Sequence, residues 1–144
     1  MGQSETERAV GYLVKRVQQA LRRSCDAALK PAELSMAQYA VLRALADHPD
    51  ASASELARLC FVTRQSLQDV LAGLRSSGLV APADRPLRGR ARSLRLTVSG
   101  RRRLAVGEEA ISHVESAMLR DIPAARRREL AGLLTACADN LENA

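Results

Sequence analysis

Residues 52–80 read SASELARLCFVTRQSLQDVLAGLRSSGLV, and the order of signals within them decides the fold. Ser52 is followed three residues later by Glu55, the spacing of a capping box, and opens a short helix with Leu56 and Leu59 as its buried side. Thr63 is a good N-cap. From it runs a longer helix with Leu67, Val70, Leu71 and Leu74 at helical spacing. Gly78 is its natural stop. The period then changes from helical to alternating. Leu79 and Val80 begin a short strand, and LRLTV at 94–98 alternates apolar and polar residues. The segment between them is rich in Pro, Gly and Arg, which makes the whole a β-hairpin with a charged tip. Short helix, tight turn, longer helix, basic hairpin is the order of a winged helix-turn-helix.

Outward from this stretch the chain is helical. Residues 5–30 predict one helix with Val10, Leu13, Val14, Val17 and Leu21 on a face, ended by Pro31. Ser35 and Gln38 form a second capping box, which opens a helix buried through Met36, Tyr39, Ala40, Leu42 and Leu45 and stopped before Pro49. Helix returns from about Ser99, with Leu104, Ile111, Val114 and Met118 along a stripe. Asp121, Ile122 and Pro123 break it. A last helix from about Ala124 to Leu141 carries Leu130, Leu133, Leu134, Cys137 and Leu141. The first and the last two helices thus bear apolar stripes while flanking a module that closes its own small core. Such stripes need a partner, and a two-fold partner would supply two recognition helices for two half-sites. The expected fold is mostly α with a small β-wing: a winged helix-turn-helix lobe at 34–98, flanked by a helical dimerisation region at 5–30 and 99–142, within one domain of residues 1–144.

Composition agrees. Of 144 residues 47% are hydrophobic and only 2% aromatic, namely Tyr12, Tyr39 and Phe61. A core of Leu, Val and Ala favours packed helices over a sandwich. There is no run of about 18 apolar residues, so no membrane partner is expected. The N-terminus lacks a secretion signal. Cys25, Cys60 and Cys137 are an odd set without close spacing, which fits a reducing cytoplasm. His48 and His113 stand alone, so no metal or cofactor is expected. An enzyme would need a phosphate loop, a nucleophile motif or a clustered carboxylate pair, and none is present.

The net charge of +6 is concentrated in one place. Residues 85–103 carry eight arginines and no acid, while the remaining 14 basic residues face all 16 acids. A local patch on a slightly acidic body is the footprint expected for a phosphate backbone, although a solvated face or a disordered basic loop would look similar. The helix opened by Thr63 offers Arg64, Gln65, Ser66, Gln68 and Asp69 in its first turns. Arg pairs with guanine and Gln with adenine in the major groove, and the helix N-terminus with the Thr63 hydroxyl can hold a phosphate. These residues alone equally fit an ordinary solvated helix face; the adjoining hairpin tips the reading toward double-stranded DNA. Leu87, Leu94 and Leu96 would anchor the wing. Arg88, Arg90 and Arg92 would project to the minor groove or the phosphates, and Arg101, Arg102 and Arg103 extend the positive surface. Single-strand or RNA binding would want stacking aromatics, and residues 62–138 have none.

At this point the chain resembles the MarR family of bacterial transcriptional regulators. The resemblance lies in LSMAQYAVLRAL, SELARLCFVTRQSLQDVLAGLRSSGLV and LRLTVSGRRRLA, from about residue 34 to 105. Its most specific marks are Leu74, Gly78, Leu79 and Val80, and then Leu96, Thr97 and Gly100. The resemblance implies a homodimer on a pseudo-palindromic operator, usually a repressor, with terminal helices as the interface. It also implies release by small phenolic or aromatic ligands, or by oxidants. One departure stands out: the family wing carries Asp-x-Arg or Asp-Arg-Arg, where this chain has Arg88-Gly89-Arg90, with Asp84 the nearby acid.

Effector candidates in the cleft that the family uses are Tyr12, Arg16, Met36, Tyr39, Arg43 and His113. Each has a plainer reading, as core for Met36 and Tyr39 and as solvated charge for the arginines. Two rival readings remain at this stage. A redox regulator would use Cys25, whose neighbours Arg22 and Arg23 favour a thiolate, although a small packed residue is the plainer role. A sequence-indifferent architectural protein would share the basic wing.

Overall fold

The structure, a computed structural model, describes residues 2–83 and 94–144. Its helices are α1 (Glu5–Arg8), α2 (Val10–Ala28), α3 (Met36–Asp47), α4 (Ala53–Leu59), α5 (Arg64–Ser76), α6 (Val98–Met118) and α7 (Ala124–Glu142). A short 3-10 helix occupies Lys30–Ala32, and two strands, β1 (Val80–Pro82) and β2 (Leu94–Leu96), form an antiparallel pair. The pair is in register Val80↔Leu96, Ala81↔Arg95 and Pro82↔Leu94. The mostly helical winged helix-turn-helix expected from the sequence is therefore present. The chain divides into two compact units, Met1–Val114 and Glu115–Ala144, with the boundary inside α6.

Caps set most helix starts. Ser35 Oγ accepts from the Gln38 N–H at 3.1 Å, and Gln38 Oε1 accepts from the Ser35 N–H at 2.9 Å, a full capping box. At α4 the Ser52 hydroxyl accepts from the Glu55 N–H at 3.1 Å but donates to the Glu55 carboxylate at 2.9 Å, so only half of the expected box forms. The single helix expected over 5–30 is in fact interrupted. Ser4 and Glu7 make a capping box that nucleates α1, and Ala9 then takes an extended conformation (ψ 140°) before α2 begins. Pro31 sits in the first turn of the 3-10 helix, where its missing N–H costs nothing, so the chain tightens before it stops.

The core of the first unit is aliphatic. Leu29, Val41, Leu42, Leu67, Leu74 and Leu79 are almost fully enclosed. Leu34, Leu45, Leu56, Leu71, Val80, Leu96 and Leu104 complete it, bringing together α3, α4, α5, both strands and the start of α6. Leu59, expected on the buried side of α4, is exposed instead. Leu56 and Ala57 face inward and Cys60 packs against the core, so the buried face of α4 runs 56, 57, 60 and Leu59 falls to one side of it.

One joint fixes the wing base to α5. The Leu79 N–H bonds the Leu74 carbonyl at 2.9 Å and the Gly78 N–H bonds the Arg75 carbonyl at 3.0 Å, with Gly78 at φ 73°. That pair of bonds is a Schellman ending, and glycine suits its left-handed residue. The Thr97 hydroxyl donates to the Gly78 carbonyl at 2.7 Å and accepts from the Gly100 N–H at 3.0 Å. It thereby closes α5 and caps α6, which begins at Val98. Gly100 lies against the Leu79 carbonyl, and any Cβ there would overlap it. The two sequence marks, at 74–80 and 96–100, are one structural element.

In the second unit the Arg127 guanidinium donates to the carbonyls of Ile122 (2.7 Å) and Leu119 (3.0 Å). It satisfies acceptors that the end of α6 and the turn leave open, with Asp121 at φ 64° in that turn. The apolar residues of α7, among them Leu130, Leu133, Leu134 and Leu141, are exposed, as are Val10, Leu13, Val14 and Val17 of α2.

Candidate nucleic-acid interface

α4 and α5 are joined by a tight turn, and α5 is two-sided. Leu67 and Leu74 are wholly enclosed and Leu71 nearly so. On the other side Thr63, Arg64, Gln65, Ser66, Gln68 and Asp69 are all exposed. Thr63 caps the helix, its Oγ1 accepting from the Ser66 N–H at 3.0 Å and donating to the Ser66 hydroxyl at 3.1 Å. Gln65 Nε2 donates to Asp69 Oδ1 at 3.3 Å, one helical turn on. Asp69 therefore fixes the amide of Gln65, a role its negative charge suits better than meeting a phosphate. Arg64 and Gln68 have no side-chain partner among the described residues and are available to a ligand. The helix presents unpaired N–H groups, one cation and two amides at its N-terminal end, groups able to hydrogen-bond base edges and phosphate.

Arg95 on β2 and Arg101 and Arg102 in the first turns of α6 are exposed, and none is paired among the described residues. Arg103 differs. It reaches back 70 positions to Glu33, at 3.4 Å from both the carboxylate and the backbone carbonyl. Leu94 and Leu96 pack on the core as anchors. Leu87, Arg88, Arg90 and Arg92, together with Asp84, lie outside the described residues.

The effector candidates fall into separate environments. Tyr39 is buried, with its ring against Gly107 of α6, where an added Cβ would come within 2.8 Å of the ring. Burial pushes the Tyr39 phenol up, while the adjacent Arg43 guanidinium pulls it down. Arg43 is itself held at 2.9 Å by Asp47 and at 2.9 Å by Glu108. Tyr39, Arg43 and Glu108 thus form a cluster, of which the sequence alone gave no hint of Glu108 or Gly107. Met36 packs against the core. Tyr12 and Arg16 are exposed on α2, and His113 is exposed on α6 with Glu109 4.0 Å away. None of the six lines the cleft of about 390 Å³ formed by Leu45, Ala46 and Pro49, β2 and α6, which Arg95, Arg101 and Glu108 rim.

Cys25 is buried at 3% exposure, so the plainer core role fits it and a solvent-facing thiolate does not. Burial raises the Cys60 thiol, whose Sγ lies 3.6 Å from the Ala40 carbonyl. Among the described residues no His, Cys, Asp or Glu cluster suits a metal ion, and no helix is long and apolar enough to cross a membrane.

Sequence comparison fits this geometry. The MarR family model matches residues 32–91, which span α3 to the hairpin. The HTH-type transcriptional repressor Rv2887 of Mycobacterium tuberculosis (strain ATCC 25618 / H37Rv) is 34% identical over 125 residues, 87% of this chain and 90% of that one. The chain belongs to the MarR family. As a MarR-family chain it also superposes on solved relatives. The Mycobacterium tuberculosis MarR family protein Rv2887 in complex with DNA matches at TM-score 0.71 and 32% identity, over 90% of this chain and 97% of that one. The same protein in complex with salicylic acid matches at TM-score 0.73 and 32% identity, over 90% and 96%. The transcriptional regulator PA3341 matches at TM-score 0.84 and 30% identity, over 94% and 100%.

Proposed function

We propose that this MarR-family chain is a sequence-specific regulator that binds double-stranded DNA as a homodimer on a pseudo-palindromic operator. It acts as a cytoplasmic repressor and is released by a small phenolic or aromatic ligand. The observation that carries the reading is α5: an enclosed leucine face on one side, and on the other an exposed first two turns with Arg64, Gln65 and Gln68. Gln65, Gln68 and Arg64 read bases. Thr63 and Ser66 bind a phosphate at the helix start, and Asp69 orients Gln65. Arg88, Arg90 and Arg92 of the wing supply sequence-independent attraction.

The exposed apolar stripes of α2 and α7 are the surfaces a second copy would cover, which supports reading 5–30 and 99–142 as the dimerisation region and 34–98 as the DNA-binding lobe. A relative seen with DNA and with salicylic acid supports both the partner and the ligand class. For the ligand, the adjacent Tyr39 and Arg43 are the proposed centre, and Tyr12, Arg16, Met36 and His113, which lie in other environments, are further candidates. A carboxylate would compete with Asp47 and Glu108 for the Arg43 guanidinium.

Titration of operator and scrambled duplexes at several salt concentrations tests the assignment of roles. Gln65→Ala or Gln68→Ala should cost about 1–3 kcal/mol on operator and relax base preference. Arg90→Ala should weaken both duplexes alike and flatten the salt slope. If the Gln changes weaken every sequence equally, α5 is not the recognition helix. Equal binding of both duplexes by the unaltered protein would make it an architectural protein.

A further inference from the structure

The turn between α4 and α5 holds a residue that neither stability nor the reading above accounts for. Phe61 is 93% exposed, the most exposed of the large apolar side chains among the described residues. Its backbone lies at φ 56°, in the left-handed region where an L side chain is strained. The Phe61 N–H bonds the Arg58 carbonyl at 3.2 Å and the Val62 N–H bonds the Ala57 carbonyl at 3.0 Å, so Phe61 takes the glycine position of a Schellman ending. Glycine would relieve the strain and remove the exposed ring at once. Phe61 packs on nothing in the core, which draws on its neighbours Cys60 and Val62 instead.

Position says what the ring is for. Phe61 stands two residues before the Thr63 cap, within about 8 Å of it along the chain, and so at the end of α5 that carries Arg64 and Gln65. That end is where a recognition helix meets base edges. Among base-edge groups the thymine 5-methyl is the apolar one, and Phe is among the side chains that contact it. We propose that Phe61 is a DNA-contacting, specificity-determining residue whose ring packs on a thymine methyl at the edge of the half-site read by α5. The proposal rests on the DNA-binding reading above. The strained backbone has a use here: it aims the ring away from the core and toward the groove.

The test combines three measurements on the full-length protein with the duplex from upstream of its own gene. Thermal melting of Phe61→Gly should show a fold at least as stable as the original. The same variant should bind the duplex at least about fivefold more weakly, the lower end of what one lost base-pair contact costs, and Phe61→Leu should fall between. Replacing thymines by deoxyuridine one at a time across the footprint should weaken the original protein at one position per half-site, and leave Phe61→Gly indifferent there. Undiminished binding by Phe61→Gly overturns the proposal. So does weakened binding with no deoxyuridine-sensitive position, which would put the ring on deoxyribose instead. So does loss of the dimer in Phe61→Gly by light scattering, which would put it against a second copy. If the DNA-binding reading itself is wrong, it is the unaltered protein that fails to prefer its duplex, and the proposal falls with it.

Discussion

The turns that end α4 and α5 follow the same backbone path and differ in the residue at its sharpest point. At the end of α5, the bonds Leu79→Leu74 and Gly78→Arg75 enclose Gly78 at φ 73°. At the end of α4, the bonds Val62→Ala57 and Phe61→Arg58 enclose Phe61 at φ 56°. The first turn obeys the local rule and leads into the wing base, where Leu79 is wholly enclosed. The second breaks the rule and leads into the helix proposed to read DNA. Chains depart from local preference at sites whose job is not stability, and the departure marks the site. The α5 ending is built to hold, and the α4 ending is built to present.

If so, changes at the α5 joint should cost stability, and the change at the α4 turn should return some. The largest effect is expected from Gly100→Ala, whose Cβ would overlap the Leu79 carbonyl, a backbone group that cannot swing aside. The loss should be about 3 kcal/mol or more, read by chemical denaturation. Gly78→Ala should lose about 1–2 kcal/mol, since its Cβ meets open space and only the left-handed φ penalises it. Thr97→Val should lose a similar amount, about 1–2 kcal/mol, because its hydroxyl serves both Gly78 and Gly100. Gly78→Ala and Thr97→Val act on one joint, so the double variant should depart from the sum. Phe61→Gly should gain about 1 kcal/mol. A loss there would break the comparison, since it would show the ring to be structural.

The smallest effect concerns alkaline pH. Burial raises the Tyr39 phenol and the Cys60 thiol above their ordinary values of 10.0 and 9.0. The folded chain therefore holds these protons more tightly than the unfolded one, and stability falls as pH rises. The stabilisation is full below each unfolded value and disappears as pH climbs through the folded one. Denaturation midpoints should be level in this respect near neutrality and decline beyond about pH 9. Tyr39→Phe should flatten the upper part of that decline.

Much of this was legible in the sequence because the signals are local. Ser35 with Gln38, Thr63 and Gly78 each announce a helix end by chemistry that acts within a few residues. The leucines of α5 announce its buried face by period alone. What was not legible depends on contacts between distant positions. The sequence offers Arg43 as an effector candidate or a solvated charge and Arg103 as part of the positive surface, yet Arg43 meets Glu108 across 65 positions and Arg103 meets Glu33 across 70. Cys25 sits beside Arg22 and Arg23 in the sequence, but its own side of α2 turns inward. Leu59 looks apolar and inward, but the buried face of α4 is centred on Leu56, Ala57 and Cys60 and leaves it exposed. The extended Ala9 that splits the first helix carries neither glycine nor proline to betray it. Phe61 was visible as an aromatic in a chain with few, yet its strained backbone shows only in three dimensions.

The central claim is sequence-specific binding of duplex DNA. The most direct test is fluorescence anisotropy of the purified protein on the duplex from upstream of its own gene against a scrambled duplex, at about 150 mM salt. A sequence-specific regulator should prefer the native duplex by roughly 10³-fold or more. Equal, salt-sensitive binding to both duplexes would contradict the claim.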